Sequence, residues 1–113
     1  MFSTRVRMTI EWCVPLGQAR PITMALHSVA AETRSARGCL NCSVATDIGK
    51  VGAVRYIEDW LTEEDLRQRV LFDTFSQLVT LMEDATTPPH IEFALGRETR
   101  GLDFVEEVRA SVP

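Results

Sequence analysis

What most restricts the fold of this chain is the order in which two hydrophobic periods follow one another. Over residues 5–14, Val6, Met8, Ile10, Trp12 and Val14 alternate with Arg5, Arg7, Thr9, Glu11 and Cys13, the two-residue period of a half-buried strand. Pro15, Gly17 and Pro21 punctuate the connection. Ile22, Leu26, Val29 and Thr33 then recur at helical spacing, with Ala25 and Ala30 beside them, and Gly38 supplies a stop. Leu40, Cys42, Val44, Thr46 and Ile48 alternate again. The glycine-bearing turn at 49–52 leads back into residues 53–60, where Val54, Tyr56, Glu58 and Trp60 share one face of a third strand.

Thr62 followed by Glu63, Glu64 and Asp65 predicts a helix start: a hydroxyl cap, acids in the first turn, and Leu61 placed to staple against Leu66. The apolar pattern restarts near Asp73 with Phe75, Leu78, Val79 and Met82, and Pro88 and Pro89 end it. Residues 90–97 alternate as a fourth strand. Leu102, Val105 and Val108 in the tail 98–113 predict a short terminal helix. The order β, α, β, β, α, β is the split βαβ pattern of the ferredoxin-like group, which predicts an α+β domain with a four-stranded antiparallel sheet and helices on one face. The other face mixes Cys13, Ala45, Ala53, Ile57 and Ala94 with polar residues. A second copy packed sheet to sheet would cover it, so a homodimer is expected.

At 113 residues the chain is sized for a single domain spanning 1–113. Twelve basic against sixteen acidic residues give a net charge of −4, which argues against a nucleic-acid partner. No apolar stretch approaches the roughly 18 residues that cross a bilayer, so no membrane partner is expected. Three cysteines fit a reducing compartment better than a disulfide framework, and a cytoplasmic location is expected.

The stretch Glu32-Thr33-Arg34 through Gly38-Cys39-Leu40, then Tyr56-Ile57-Glu58-Asp59-Trp60 with acids opening the next helix, resembles the antibiotic biosynthesis monooxygenase domain of the dimeric α/β-barrel proteins. The closing Glu98-Thr99-Arg100-Gly101-Leu102 with Val105-Glu106-Glu107 is similar to the tail of bacterial quinol monooxygenase-like members. The resemblance covers most of the chain. It implies oxidation of small electron-rich phenols or quinols by molecular oxygen with no metal or flavin cofactor, in a pocket between sheet and helices. Members of this fold that degrade haem use a histidine on the helix after strand three and an asparagine on strand one. Residues 62–83 hold no His and residues 5–14 no Asn, which disfavours that activity.

Trp60 matches the tryptophan that ends strand three in the family. With Tyr56 beside it and Trp12 on strand one, it could bed a planar phenol, although large aromatics on a strand face commonly just fill volume. Glu58 interrupts this apolar face. A buried carboxylate is costly unless paired, so it is either the partner of an arginine or a proton acceptor. His27 is the other candidate acceptor by its near-neutral titration, but it falls off the apolar stripe. His90 and Arg55 read as surface or interface positions. Cys39 and Cys42 form a C-x-x-C spacing; on a regular strand such residues face opposite ways, and no metal site is expected there. The alternative to a monooxygenase is a non-catalytic homodimer that binds a ligand or regulates, with a thiol enzyme as a third reading.

Overall fold

The computed structural model describes residues 5–47, 49–83 and 85–112. Its elements are β1 (Val6–Cys13), α1 (Ala19–Arg34), β2 (Cys39–Thr46), β3 (Ala53–Trp60), α2 (Glu63–Val70), α3 (Asp73–Met82), β4 (His90–Leu95), β5 (Glu98–Arg100) and α4 (Leu102–Ala110), with a 3-10 turn at Leu16–Gln18 leading into α1. All strand pairings are antiparallel, in the order β2-β3-β1-β4-β5. The first four strands have the ferredoxin-like arrangement expected from the sequence. The strand count is corrected from four to five. After β4 the chain turns at Gly96, whose φ of +69° favours glycine, and Glu98–Arg100 pairs back onto β4 before α4 begins. The tail is therefore a short strand followed by a helix. No described helix is long and apolar enough to cross a membrane.

Local chemistry explains the boundaries. Thr62 Oγ1 accepts the Asp65 N–H at 3.1 Å, and Glu63, Glu64 and Asp65 sit at the positive end of α2. Leu61, expected to staple Leu66, is 63% exposed, so Leu66 is buried without its cover. Gly38 adopts φ +86°, and a Cβ there would collide with the Asp65 carboxylate, so this close approach of the β2 start to α2 requires glycine. Ile48, read as the end of the second strand, lies outside the described residues.

One face of the sheet buries Val6, Met8, Ile10, Trp12, Val54, Tyr56, Glu58, Trp60, Ile91 and Phe93 beneath the helices. Phe93 meets Phe104 of α4 at 4.7 Å between ring centroids, so the terminal helix joins the same core. On the opposite face, antiparallel register sets Ala45, Arg55, Glu11 and His90 in one cross-strand row. Ser43, Ile57, Thr9 and Glu92 form the next row, and Asn41, Asp59, Arg7, Ala94 and Thr99 the one after. No described helix packs over these rows.

Strand β2 departs from strict alternation. The register slips between Cys39 and Asn41, leaving Leu40 65% exposed. Cys39 then stands opposite Trp60, and Cys42 opposite Glu58. Both cysteines of the C-x-x-C spacing therefore share the helix-covered side, which corrects the expectation that they face opposite ways.

Candidate functional site

The alternation of β3 brings Tyr56, Glu58 and Trp60 to one face, as the sequence predicts, and packing removes all three from water; Glu58 is 0% exposed. A carboxylate in that position demands donors. Tyr56 Oη–H donates to Glu58 Oε2 at 2.6 Å, and Trp60 Nε1–H donates to Oε1 at 3.0 Å. The expected arginine partner is Arg69, near the end of α2. Its Nη2 donates to Oε2 at 2.8 Å, and its Nε lies 3.1 Å from both carboxylate oxygens.

Arg69 is itself held in place. Its Nη1 donates to Thr74 Oγ1 at the start of α3 and its Nη2 to Thr33 Oγ1 of α1 at 3.3 Å. The Thr33 hydroxyl donates in turn to the Val29 carbonyl at 2.7 Å. On the far side, Cys42 Sγ–H donates to Tyr56 Oη at 3.1 Å. Glu58, Arg69, Tyr56, Trp60, Thr33, Thr74 and Cys42 thus link β2, β3, α1, α2 and α3 through one polar cluster in the core.

The electrostatics follow from burial and from the carboxylate. Burial, then the Glu58 charge, pushes the Tyr56 phenol well above its ordinary range. Burial likewise pushes the Cys42 thiol up to about 12, so that it is a neutral donor. Burial works against the Arg69 cation, but the charge and hydrogen bonds of Glu58 outweigh it and hold the guanidinium protonated. Chemically, the cluster joins a protonated Tyr56 phenol to Glu58 Oε2 by one short hydrogen bond in the field of a fixed guanidinium.

Arg69 and Thr74 are the members that sequence reasoning did not name, and Thr33 was read only as part of the apolar stripe of α1. Arg69 sits three residues after Leu66 and one before Val70, on the stripe that α2 buries. Thr33 lies on the apolar stripe of α1. An arginine and a threonine on buried stripes were the available signals.

The remaining candidates lie elsewhere. Trp12 shares the face of Trp60 but pairs with Val54, whereas Val6 pairs with Trp60; six residues of strand separate them, about 20 Å. Trp12 is 4% exposed, and its Nε1–H has no acceptor among the described residues. His27 is exposed on α1. His90 is exposed at the start of β4, with Nε2 3.9 Å from Glu92. Arg55 lies on the uncovered sheet face, 3.4 Å from Glu11.

A depression of about 490 Å³ opens at the hairpin end of that face, lined in part by Glu11, Cys13, Lys50, Arg55 and His90. A second, more open hollow of about 520 Å³ lies between Val79, Met82 and the Thr86–Pro89 loop. Neither is lined by Tyr56, Glu58 or Trp60. Cys13, Cys39 and Cys42 are all free thiols, and among the described residues no group of three or more His, Cys, Asp or Glu could hold a metal ion.

No protein-family model matches the chain, and no curated protein matches it in sequence. Solved structures do match in shape. A conserved protein from Methanosarcina mazei superposes with a TM-score of 0.75 at 19% identity, over 83% of this chain and 94% of that one. The protein PA3566 from Pseudomonas aeruginosa gives a TM-score of 0.70 at 19% identity, covering 84% and 96%. A structure named antibiotic biosynthesis monooxygenase gives a TM-score of 0.69 at 15% identity, covering 78% and 94%. The chain has the ferredoxin-like α+β fold of the antibiotic biosynthesis monooxygenase domain proteins.

Proposed function

We propose that the chain is a cytoplasmic homodimer acting as a cofactor-independent monooxygenase on a small aromatic phenol or quinol. The observation that supports this most is the Glu58–Arg69 pair, together with the phenol and indole that complete it. A buried ion pair is a poor way to gain stability, because apolar residues of similar volume commonly serve as well or better. A carboxylate, phenol and guanidinium gathered in a dry core are the groups that proton abstraction from a phenol needs.

In this reading the substrate hydroxyl gives its proton to Tyr56 Oη as Tyr56 passes its own to Glu58 Oε2. Glu58 is then neutral, and the charge of Arg69 stabilises the substrate phenolate. Trp60 and Tyr56 hold the ring. The phenolate passes one electron to oxygen, radical and superoxide combine at a ring carbon, and loss of water leaves a quinone. One oxygen atom enters the product and the other leaves as water. Admission of a ring beside Trp60 requires the elements packed over it to move, since Glu58 and Tyr56 are both 0% exposed. His27 is not assigned the proton because of its exposure, nor Trp12 the ring because of its distance along β1.

The rows of the uncovered face support the dimer, since Ile57, Thr9, Ser43 and Ala94 lie there among the Arg7–Asp59 and Arg55–Glu11 pairs. The three free thiols support the cytoplasmic placement.

The complete satisfaction of Glu58 favours a second reading, a non-catalytic homodimeric ligand-binding or regulatory protein of the same fold. Oxygen uptake over a panel of phenols and hydroquinones separates the two. Uptake that falls in Glu58→Gln and Trp60→Phe supports the enzyme; uptake no greater than in those variants for every compound supports the alternative.

A further inference from the structure

Helix α2 has a weak apolar hold on the molecule. It spans eight residues and buries Leu66, Arg69 and Val70, so two apolar side chains anchor it, and the leucines that flank it, Leu61 and Leu71, are 63% and 40% exposed. Helix α1, by contrast, buries Ile22, Leu26, Val29 and Ala30. Helix α4 buries Phe104, Val105 and Val108, with the Phe104 ring against Phe93 of β4. A short helix with few buried apolar side chains opens at a lower free energy than better anchored neighbours. Because α2 also carries Arg69, whose guanidinium contacts both oxygens of Glu58, its opening bares that carboxylate.

On its outer side α2 is fastened to α4. Arg67 donates from Nη2 to Glu107 Oε2 at 3.0 Å and from Nε to Glu63 Oε2 at 2.9 Å, and its guanidinium lies 5.2 Å from the centroid of the Phe104 ring. Glu107 is held through its other oxygen as well. Arg100, at the end of β5, reaches Oε1 at 3.4 Å, donates to Asp103 at 2.6 Å, and lies 5.7 Å from the same ring. Further along α4, Arg109 lies 5.7 Å from the Phe75 ring of α3, which Arg69 approaches at 5.9 Å. Among the described residues, Arg67–Glu107 is the ion pair that joins α2 to α4.

We propose that α4 is a strap on α2, and that the Arg67–Glu107 pair sets how often α2 lifts and so how often the Glu58 cluster is open to a substrate. The second half of this rests on the reading of that cluster as a substrate site; the first half does not. Phe104 keeps α4 on β4 while α2 lifts, so the strap is the fixed member and α2 the moving one. The Arg67 and Glu107 side chains are 29% and 48% exposed, so the pair changes the opening by a modest factor and does so in a salt-dependent way.

Amide hydrogen exchange on the whole protein, read by mass spectrometry on peptides from α2, β1 and β3, separates the lifting of α2 from global unfolding. Glu107→Gln should speed exchange in the α2 peptide about two- to fivefold, the range for an exposed ion pair, and leave β1 and β3 unchanged. Asp103→Asn, which weakens an Arg100 pair that does not reach α2, should leave all three unchanged. In roughly 0.5 M sodium chloride the parent should approach Glu107→Gln. Exchange in α2 unchanged by Glu107→Gln, raised equally by Asp103→Asn, or raised in step with β1 and β3 would each overturn the strap. Oxygen uptake on a panel of phenols keeps the two readings apart: faster α2 exchange in a protein that consumes no oxygen supports the strap and removes the enzyme, and uptake with α2 exchange unchanged in Glu107→Gln does the reverse.

Discussion

The Arg69 guanidinium meets the Glu58 carboxylate at 2.8 Å with the two side chains 1% and 0% exposed. Removing one partner leaves the other charged and dry, which costs about 3–5 kcal/mol, whereas replacing both can be close to neutral. Arg69→Met and Glu58→Leu should each lower the unfolding free energy by that amount in denaturant titrations. The double variant should lose much less than the sum. Additive losses would mean that the pair is not coupled in the folded protein.

Tyr56→Phe tests the proton route without opening a cavity. It removes the 2.6 Å bond to Glu58 and orphans the Cys42 donor, so stability should fall by about 1–3 kcal/mol. If Tyr56 relays the proton, oxygen uptake on the best phenol should fall about a hundredfold or more, beyond anything the stability loss explains. Retained uptake in the folded variant would remove Tyr56 from the route.

Arg7 and Asp59 form a bidentate pair on the uncovered face, at 2.6 and 3.0 Å. The Arg7 hydrogen bonds hold the Asp59 carboxyl below its ordinary value, and the net effect is stabilising for the charged form. Its folded pKa is depressed, so the stabilisation is present above the unfolded carboxyl pKa of about 3.9 and is lost as pH falls through the folded value. Asp59→Asn should therefore cost stability at pH 7, and the gap to the parent should close as pH drops below about 4. A gap unchanged between pH 7 and pH 2.5 would contradict this.

The three thiols should separate in rate. Burial pushes Cys42 to about 12, and burial together with the Glu58 charge raises Cys39. Native-state alkylation at pH 7.5 should label Cys13 first, Cys39 more slowly, and Cys42 only on unfolding. Rapid labelling of Cys42 would mean that the cluster around Tyr56 opens readily.

The elements were legible where local chemistry decides them. The Thr62 cap with its acids marks α2, and the alternation over 53–60 puts Tyr56, Glu58 and Trp60 on one face. Parity tells which face a residue takes but not where along the sheet it lies, which is why Trp12 was grouped with Trp60. The Leu40 bulge was hidden because the slip is set by pairing between β2 and β3, not by residue order. Glu98–Arg100 is too short to show a period and is recruited by the Gly96 turn. Arg69 was missed for the opposite reason: a charged residue on a short polar helix reads as solvated until Glu58 is placed beneath it.

The proposed chemistry is tested most directly by turnover of an electron-rich phenol under ¹⁸O₂ with mass analysis of the product. The account predicts one labelled oxygen per quinone, consumption of one O₂ per substrate, and loss of both in Glu58→Gln. A quinone without label, hydrogen peroxide in place of water, or unchanged labelling in Glu58→Gln would contradict it.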